Sequence, residues 1–396
     1  MSGAAAAPPL ALYLHFPWCV SKCPYCDFNS HALRGPLPEA QYLDALLADL
    51  RAQAPRVAGR EVHSLFLGGG TPSLFSPEAL GGLFDALRGL LTIAADAEIT
   101  LEANPATVER GRFAAYRAAG INRVSLGAQS FDPATLQALG RIHVPADVLR
   151  AAEELHACGL HNFNLDLMYG LPRQGIAGAL ADLTTALSLQ PAHLSHYQLT
   201  LEPGTLFAAR PPPLPDEDLA WSMQLECQAL LAAHGFSQYE VSAYARAGRQ
   251  CRHNLNYWRF GDYLGAGAGA HGKLTCLPAT GGGILVERST HLREPRRYLD
   301  AAAGGPQWRA VPVDDLAFEF MMNALRLADG FPEPLLVART GLPMSVVAPT
   351  LAQLAIEGLL EGASGVWRAT LRGSQYLNEV VARFLPDRNS QGRAGI

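Results

Sequence analysis

Charge is scarce in this 396-residue chain: Asp, Glu, Lys and Arg make up 17% of it, and the net charge is -5. No dense cluster of lysine and arginine occurs, so the electrostatic footprint of a nucleic-acid partner is missing. Long apolar runs are missing as well; nothing approaches the ~18–20 uninterrupted apolar residues of a membrane span. Cysteine is sparse and odd in number, seven residues of which four are isolated, which argues against a secreted disulfide scaffold and for a reducing compartment. No Lys or Arg precedes Lys22. The apolar start "MSGAAAAPPLALYLHFPW" therefore lacks the basic leader of a signal peptide, and residues 1–11 are expected to form a disordered lead into a strand. A cytoplasmic protein that is not an integral membrane protein is expected.

Hydrophobic residues are plentiful at 49%, enough for a barrel-sized domain and a smaller one. From residue 12 to about 200 a rhythm repeats. Short apolar runs, "LYLHF", "SLFLGGG", "AEITLEANP", "RVSLGAQS", "FNLDLMYGLP" and "LSHYQLTLEP", alternate with segments of helical period such as "EAQYLDALLADLRAQ". Alternation of this kind predicts a parallel sheet with helices outside it, as a partial barrel or a doubly wound sheet. Each run ends in residues that can do chemistry: Cys19 onward, Gly68 to Gly70 with Thr71, Glu102 with Asn104, Gln129, Asp166, then Thr200. Barrel enzymes place their chemistry at the carboxyl ends of strands.

"ARPPPLPDEDL" (209–219) reads as a stiff connector. Residues 209–313 are expected to hold linker helices and the aromatic, glycine-rich stretch "QCRHNLNYWRFGDYLGAGAGAHG". Three helical segments and a hairpin from 314 to 386 predict a winged-helix-like module, followed by a tail, 387–396. The module's Glu357, Glu361 and Glu379 stand against Arg368, Arg372 and Arg383, which is not a phosphate-binding face; a packing or partner role is expected.

The most specific signal is "PWCVSKCPYCDFNS", with Cys19, Cys23 and Cys26 inside eight positions. Three thiolates in one loop can hold three irons of a cubane cluster and leave the fourth open, and an open position marks a catalytic metal site. Zinc with His15 or His31 as fourth ligand is the alternative. The Cys-x3-Cys-x2-Cys spacing, followed by "LGGGTP" and "LEANP", resembles the radical S-adenosylmethionine (SAM) superfamily. Within it the chain is most similar to the group around oxygen-independent coproporphyrinogen III oxidase and its heme-chaperone relatives. The resemblance runs from Leu12 to about Leu385. It implies an α/β fold, a partial (β/α)6 TIM-like barrel with a C-terminal winged-helix-like α+β domain, and a 4Fe-4S cluster that donates an electron to SAM at its open iron. By the same resemblance Tyr13 and Tyr25 flank cluster and cofactor, while Gly69, Gly70 and Thr71 bring backbone close to the methionine end. Glu102, Gln129, Arg141 and Asp166 match the remaining SAM contacts, and Thr200 matches less closely because the strand around it diverges.

"HNLNYW" (253–258) sets His253 and Tyr257 on one face if helical. It resembles the HNxxYW motif of the heme chaperones, where the histidine is implicated as heme ligand, with Tyr257 and Trp258 suited to pack on the macrocycle. Cys251 and His271 are candidates for a second ligand or a zinc pair. The expected function is heme chaperoning: binding cluster, SAM and heme, and handing heme to an acceptor protein, soluble or membrane-bound. The rival is the oxidase of porphyrin biosynthesis. Its pattern has a further cysteine two residues past the third ligand, where this chain has Phe28, and a longer segment ahead of the cluster than the 18 residues before Cys19. A nucleic-acid-binding role for the winged-helix module is disfavoured by the acidic balance.

Overall fold

The first apolar run is a strand that starts at Leu10, two residues before the expected boundary: β1 (Leu10–Phe16), buried along nearly its whole length. The computed structural model describes residues 7–107, 111–277 and 283–386. Most of the expected lead and the tail lie outside the described residues. Five more strands fall on the predicted runs: β2 (Glu61–Gly69), β3 (Thr92–Ala103), β4 (Arg123–Gln129), β5 (Phe163–Tyr169) and β6 (His193–Gln198). Neighbours pair in parallel from β1 through β6. Between them run α1 (Glu39–Gln53), α2 (Pro77–Leu90), α3 (Arg112–Ala119), α4 (Pro145–Ala157) and α5 (Ile176–Ser188). The start of α2 shows the local cause: Pro77 presets the first turn and Ser76 Oγ accepts the Ala79 amide at 3.2 Å. Strands and helices share one apolar core reaching from Leu10 to Ala302. Parallel strands covered on both faces read as near-continuous apolar runs, which is why periodicity located them.

The sheet continues past six strands. The stretch 209–313, expected to be linker helices and the aromatic, glycine-rich segment, holds α6 (Glu217–Ala233) and α7 (Arg252–Trp258) but also, among the described residues, six strands. At one edge β7 (Ser237–Glu240) and β8 (Ala243–Ala245) extend β6 in antiparallel fashion. At the other, β9 (Asp262–Ala266) pairs in parallel with β1, and β10 (His271–Cys276), β11 (Leu285–Thr290) and β12 (Gln307–Ala310) follow antiparallel. The twelve strands form one open sheet ordered β12-β11-β10-β9-β1-β2-β3-β4-β5-β6-β8-β7, so the barrel is partial. Sequence pattern missed β9 because "DYLGAGAGAHG" looks like a loop. Its glycines are imposed by packing: a Cβ on Gly265 would stand 1.9 Å from the His271 carbonyl oxygen.

The C-terminal module is the predicted winged-helix-like fold. Helix Val313–Ala324, strand Phe331–Pro332, helices Glu333–Thr340 and Ala348–Ile356, and the hairpin Leu360–Ala363 with Val366–Ala369 close a three-stranded sheet over a second core around Phe320, Leu336 and Leu351. Two short helices, Leu371–Gln375 and Leu377–Ala382, follow the hairpin. Glu357 pairs with Arg383 at 2.9 Å and Glu361 with Arg368 at 2.6 Å, so these charges are largely neutralised within the module.

Candidate functional site

Between Trp18–Cys19 and His31–Ala32, which pair in parallel, the chain forms a closed loop carrying the three cysteines. Lys22 Nζ draws it together by donating to the carbonyls of Phe28 (3.2 Å) and Ser30 (3.1 Å). Asn29 Nδ2 anchors it to the far side of the sheet, donating to the carbonyls of Ala268 and Arg293, each at 2.8 Å. Cys19, Cys23 and Cys26 are free thiols, each half-buried, on the wall of a cavity of about 490 Å³ at the carboxyl ends of the strands. Burial pushes the Cys19 thiol up, opposed by a hydrogen bond with Thr71. Among the described residues no three His, Cys, Asp or Glu side chains converge on a point that one ion could occupy. His15, the zinc alternative, has both ring nitrogens engaged, with the Tyr13 hydroxyl and the Asn29 carbonyl at 2.9 Å each.

The structure brings Tyr25, Gly69, Gly70, Thr71, Glu102, Gln129, Arg141, Asp166 and Thr200 to the same cavity. Gly69 and Gly70 also have a packing role. Their amides are taken: Gly69 donates to Glu102 Oε2 (3.0 Å) and Gly70 to the Phe16 carbonyl (2.7 Å). A Cβ on Gly70 would lie 2.6 Å from the Trp18 carbonyl oxygen, so the missing side chain lets β2 close against the cysteine loop. Gln129 sits at φ 68 where β4 ends, a conformation costly for a non-glycine residue, and its Oε1 accepts from the Tyr197 hydroxyl at 2.8 Å. Arg141 is held by the Gly127 carbonyl at 2.7 Å and points Nη1 at Cys23 Sγ, 3.6 Å away. Thr200 lies two residues past β6 and bonds Glu202 at 2.7 Å.

Two carboxyls face the cavity from β3 and β5. Asp166 is raised by burial, against hydrogen bonds from Ser195, Asn164 and Ser125 and the charge of Arg123. Glu102 is pushed up to about 8, first by burial and then by the Asp166 carboxylate, against the Gly69 amide. The native chain therefore keeps a proton that the unfolded chain releases near 4.5, and this stabilisation, full below pH 4.5, is lost as pH rises through about 8. Glu102→Gln keeps an acceptor for Gly69 and removes the acid. We predict that the variant is more stable than the parent at pH 8 by up to a few kcal/mol. Its melting temperature should also fall less between pH 5 and 8 in the cluster-free protein. Identical pH dependence in thermal melts of the two proteins would contradict the buried proton.

Tyr13 and His253 lie elsewhere. Tyr13 lines a second cavity, about 410 Å³, which shares Phe28, Gly69 and Glu102 with the first. His253, on α7, is 1% exposed, shares a hydrogen bond with Ser64 Oγ at 3.1 Å, and stacks on Phe66 with ring centroids 5.0 Å apart. Tyr13 and Tyr257 cover its remaining sides, at 6.3 and 5.0 Å between centroids. Its Nε2 is buried without a hydrogen-bond partner among the described residues, and burial drives its pKa down to about 3, so the ring is neutral. The motif thus splits. Tyr257 faces the second cavity, whereas Asn254 and Trp258 face the first. Sequence reasoning missed the floor of the first cavity, Ser125, Ser195 and Tyr197, and its rim, where Arg326 stacks on Trp258 at 4.4 Å and pairs with Glu240 at 3.0 Å. Strand alternation could have offered the floor; nothing local marks Arg326.

The sequence matches the family models "Radical SAM superfamily" over residues 13–182 and "HemN C-terminal domain" over residues 311–376. It is 50% identical to the heme chaperone HemW of Escherichia coli, covering 96% of this chain and 99% of that one. The chain belongs to the HemW family. The HemW of Haemophilus influenzae is 47% identical, over 96% and 99% of the two chains. The solved structure of E. coli coproporphyrinogen III oxidase (HemN), a radical SAM enzyme, superposes with a TM-score of 0.79 at 24% identity, covering 96% of this chain and 90% of that one, which shows a shared fold. Among the described residues no helix is long and apolar enough to cross a membrane.

Proposed function

We propose that this chain is a cytoplasmic heme chaperone that binds a 4Fe-4S cluster through Cys19, Cys23 and Cys26, SAM in the first cavity, and heme, which it passes to an acceptor protein. The observation that carries the reading is near-full-length relatedness to chains named heme chaperones, together with three half-buried thiols opening on a built cavity. When bound, a cluster held by three thiolates supplies an electron donor with one open coordination position. The chain's own residues supply the rest. Arg141, fixed by Gly127, faces the cysteine wall and suits a ligand carboxylate. Asp166, oriented by Ser125 and Asn164 at 3.1 and 2.7 Å, and Glu102 suit hydroxyl donors such as those of a ribose. Tyr25 closes the side against Phe207.

For heme, the family motif implicates His253. In this conformation its imidazole is sealed behind Tyr13, Phe66 and Tyr257, so it supports the rings that line the second cavity and would have to rotate out to reach iron. His253→Ala is expected to weaken hemin binding severalfold, in line with the ~0.5–1.5 kcal/mol of a lost ring contact. The cluster should stay intact. The test is anaerobic reconstitution, a hemin titration, and transfer of bound heme to an apo-acceptor; a parent protein that takes up no hemin would remove the reading.

A further inference from the structure

We propose that the second cavity is the seat of the heme, with His271 as the axial ligand that this chain offers and Arg293 as the partner of a propionate; this rests on the heme-binding reading above. The cavity, about 410 Å³, lies within the roughly 300–1,000 Å³ of small-molecule and cofactor sites. Its walls are aromatic: Tyr13, Phe28, Tyr257 and Tyr263. Rings of this kind pack on a flat macrocycle, and the Tyr257 and Tyr263 hydroxyls keep one edge polar. Phe28 is 60% exposed, so a macrocycle seated here would cover a large apolar side chain that otherwise faces solvent.

The choice of ligand follows from the nitrogens. Two histidines line the cavity. His15 spends both ring nitrogens on Tyr13 and Asn29. His271, the first residue of β10, is exposed, and among the described residues neither of its ring nitrogens has a hydrogen-bond partner. Arg293 is exposed at the same cavity with no carboxylate paired to it among the described residues, and a guanidinium there matches a propionate in geometry and charge. The local backbone is built for this. Gly269, at φ 79, would drive a Cβ to 2.3 Å from Asn29 Nδ2, so the turn that presents His271 packs directly on the cysteine loop.

The test is hemin titration of the full-length protein, read by the Soret spectrum and by Kd, for the parent and for His271→Ala, Arg293→Glu and His253→Ala. His271→Ala is expected to lose the spectrum of imidazole-ligated heme and to bind at least ~10–100-fold more weakly, since even an outer-shell partner is worth that much. Added imidazole should restore its spectrum. Arg293→Glu should weaken binding and leave the spectrum unchanged, and His253→Ala should do the same to a smaller degree. Iron and sulfide of the cluster should be unchanged in all three, which separates loss of the seat from loss of the fold. A parent that binds hemin while His271→Ala matches it in spectrum and affinity overturns the seat and leaves the chaperone reading standing. A spectrum lost in His253→Ala alone also overturns it, in favour of a rotated His253. A parent that binds no hemin removes both.

Discussion

Serine at Cys19, Cys23 and Cys26 together is expected to abolish the cluster, taking iron and acid-labile sulfide from about four of each per chain to background after anaerobic reconstitution. A serine hydroxyl in the same half-buried loop is a far poorer iron ligand than a thiolate and is not deprotonated at neutral pH. The remaining cysteines cannot substitute. Cys227 and Cys251 are buried, Cys158 donates to the Leu155 carbonyl at 3.4 Å, and Cys276 contacts Glu287 at 3.2 Å on β11. Replacing those four should leave iron and sulfide at the parental level. A full cluster in the triple variant would refute the assignment.

The second large effect is an absence of turnover. Coproporphyrinogen III with SAM and a strong reductant should yield no protoporphyrinogen in the reconstituted protein. In the oxidase pattern a further cysteine lies two residues past the third ligand; here Phe28 occupies that position, and a phenyl ring neither ligates iron nor exchanges a proton or hydrogen atom. Phe28 also stands on the wall shared by the two cavities, where it presents apolar surface rather than chemistry. Similarity of fold to the oxidase does not bear on this, because one scaffold hosts many activities. Sustained, multiple-turnover decarboxylation in that assay would promote the oxidase reading instead.

The parts of this molecule that were legible in its sequence share one property: their pattern is local. The six parallel strands are apolar runs with turn residues at their ends, and the cysteine trio, Gly68 to Gly70 and Glu102 sit at those ends in order. What stayed hidden is made by distance. Glu240 and Arg326 are 86 residues apart and meet over Trp258 only because the C-terminal module docks there. β9 reads as a loop because Gly265 within it and Gly267 just past it answer to contacts with His271 and His15 rather than to strand propensity. His253 shows a third limit. A helical spacing puts His253 and Tyr257 on one face, but which of them borders a cavity depends on Phe66 and Ser64 from β2.

The anchoring of the cysteine loop also sets a clock. Asn29 is tied to the Arg293 carbonyl, 264 positions further along the chain, and β1 gains its second parallel neighbour only when residues 262–266 exist. At about 5–20 residues per second of synthesis, the three thiols wait roughly 15–50 s on the ribosome before their loop can be fastened. For that interval the loop is closed only by its own Trp18–Cys19 and His31–Ala32 pairing and by Lys22, and the flank of β1 is an open strand edge. Cluster delivery to a chain still being made would meet a loose loop; delivery to the released chain meets a fastened one.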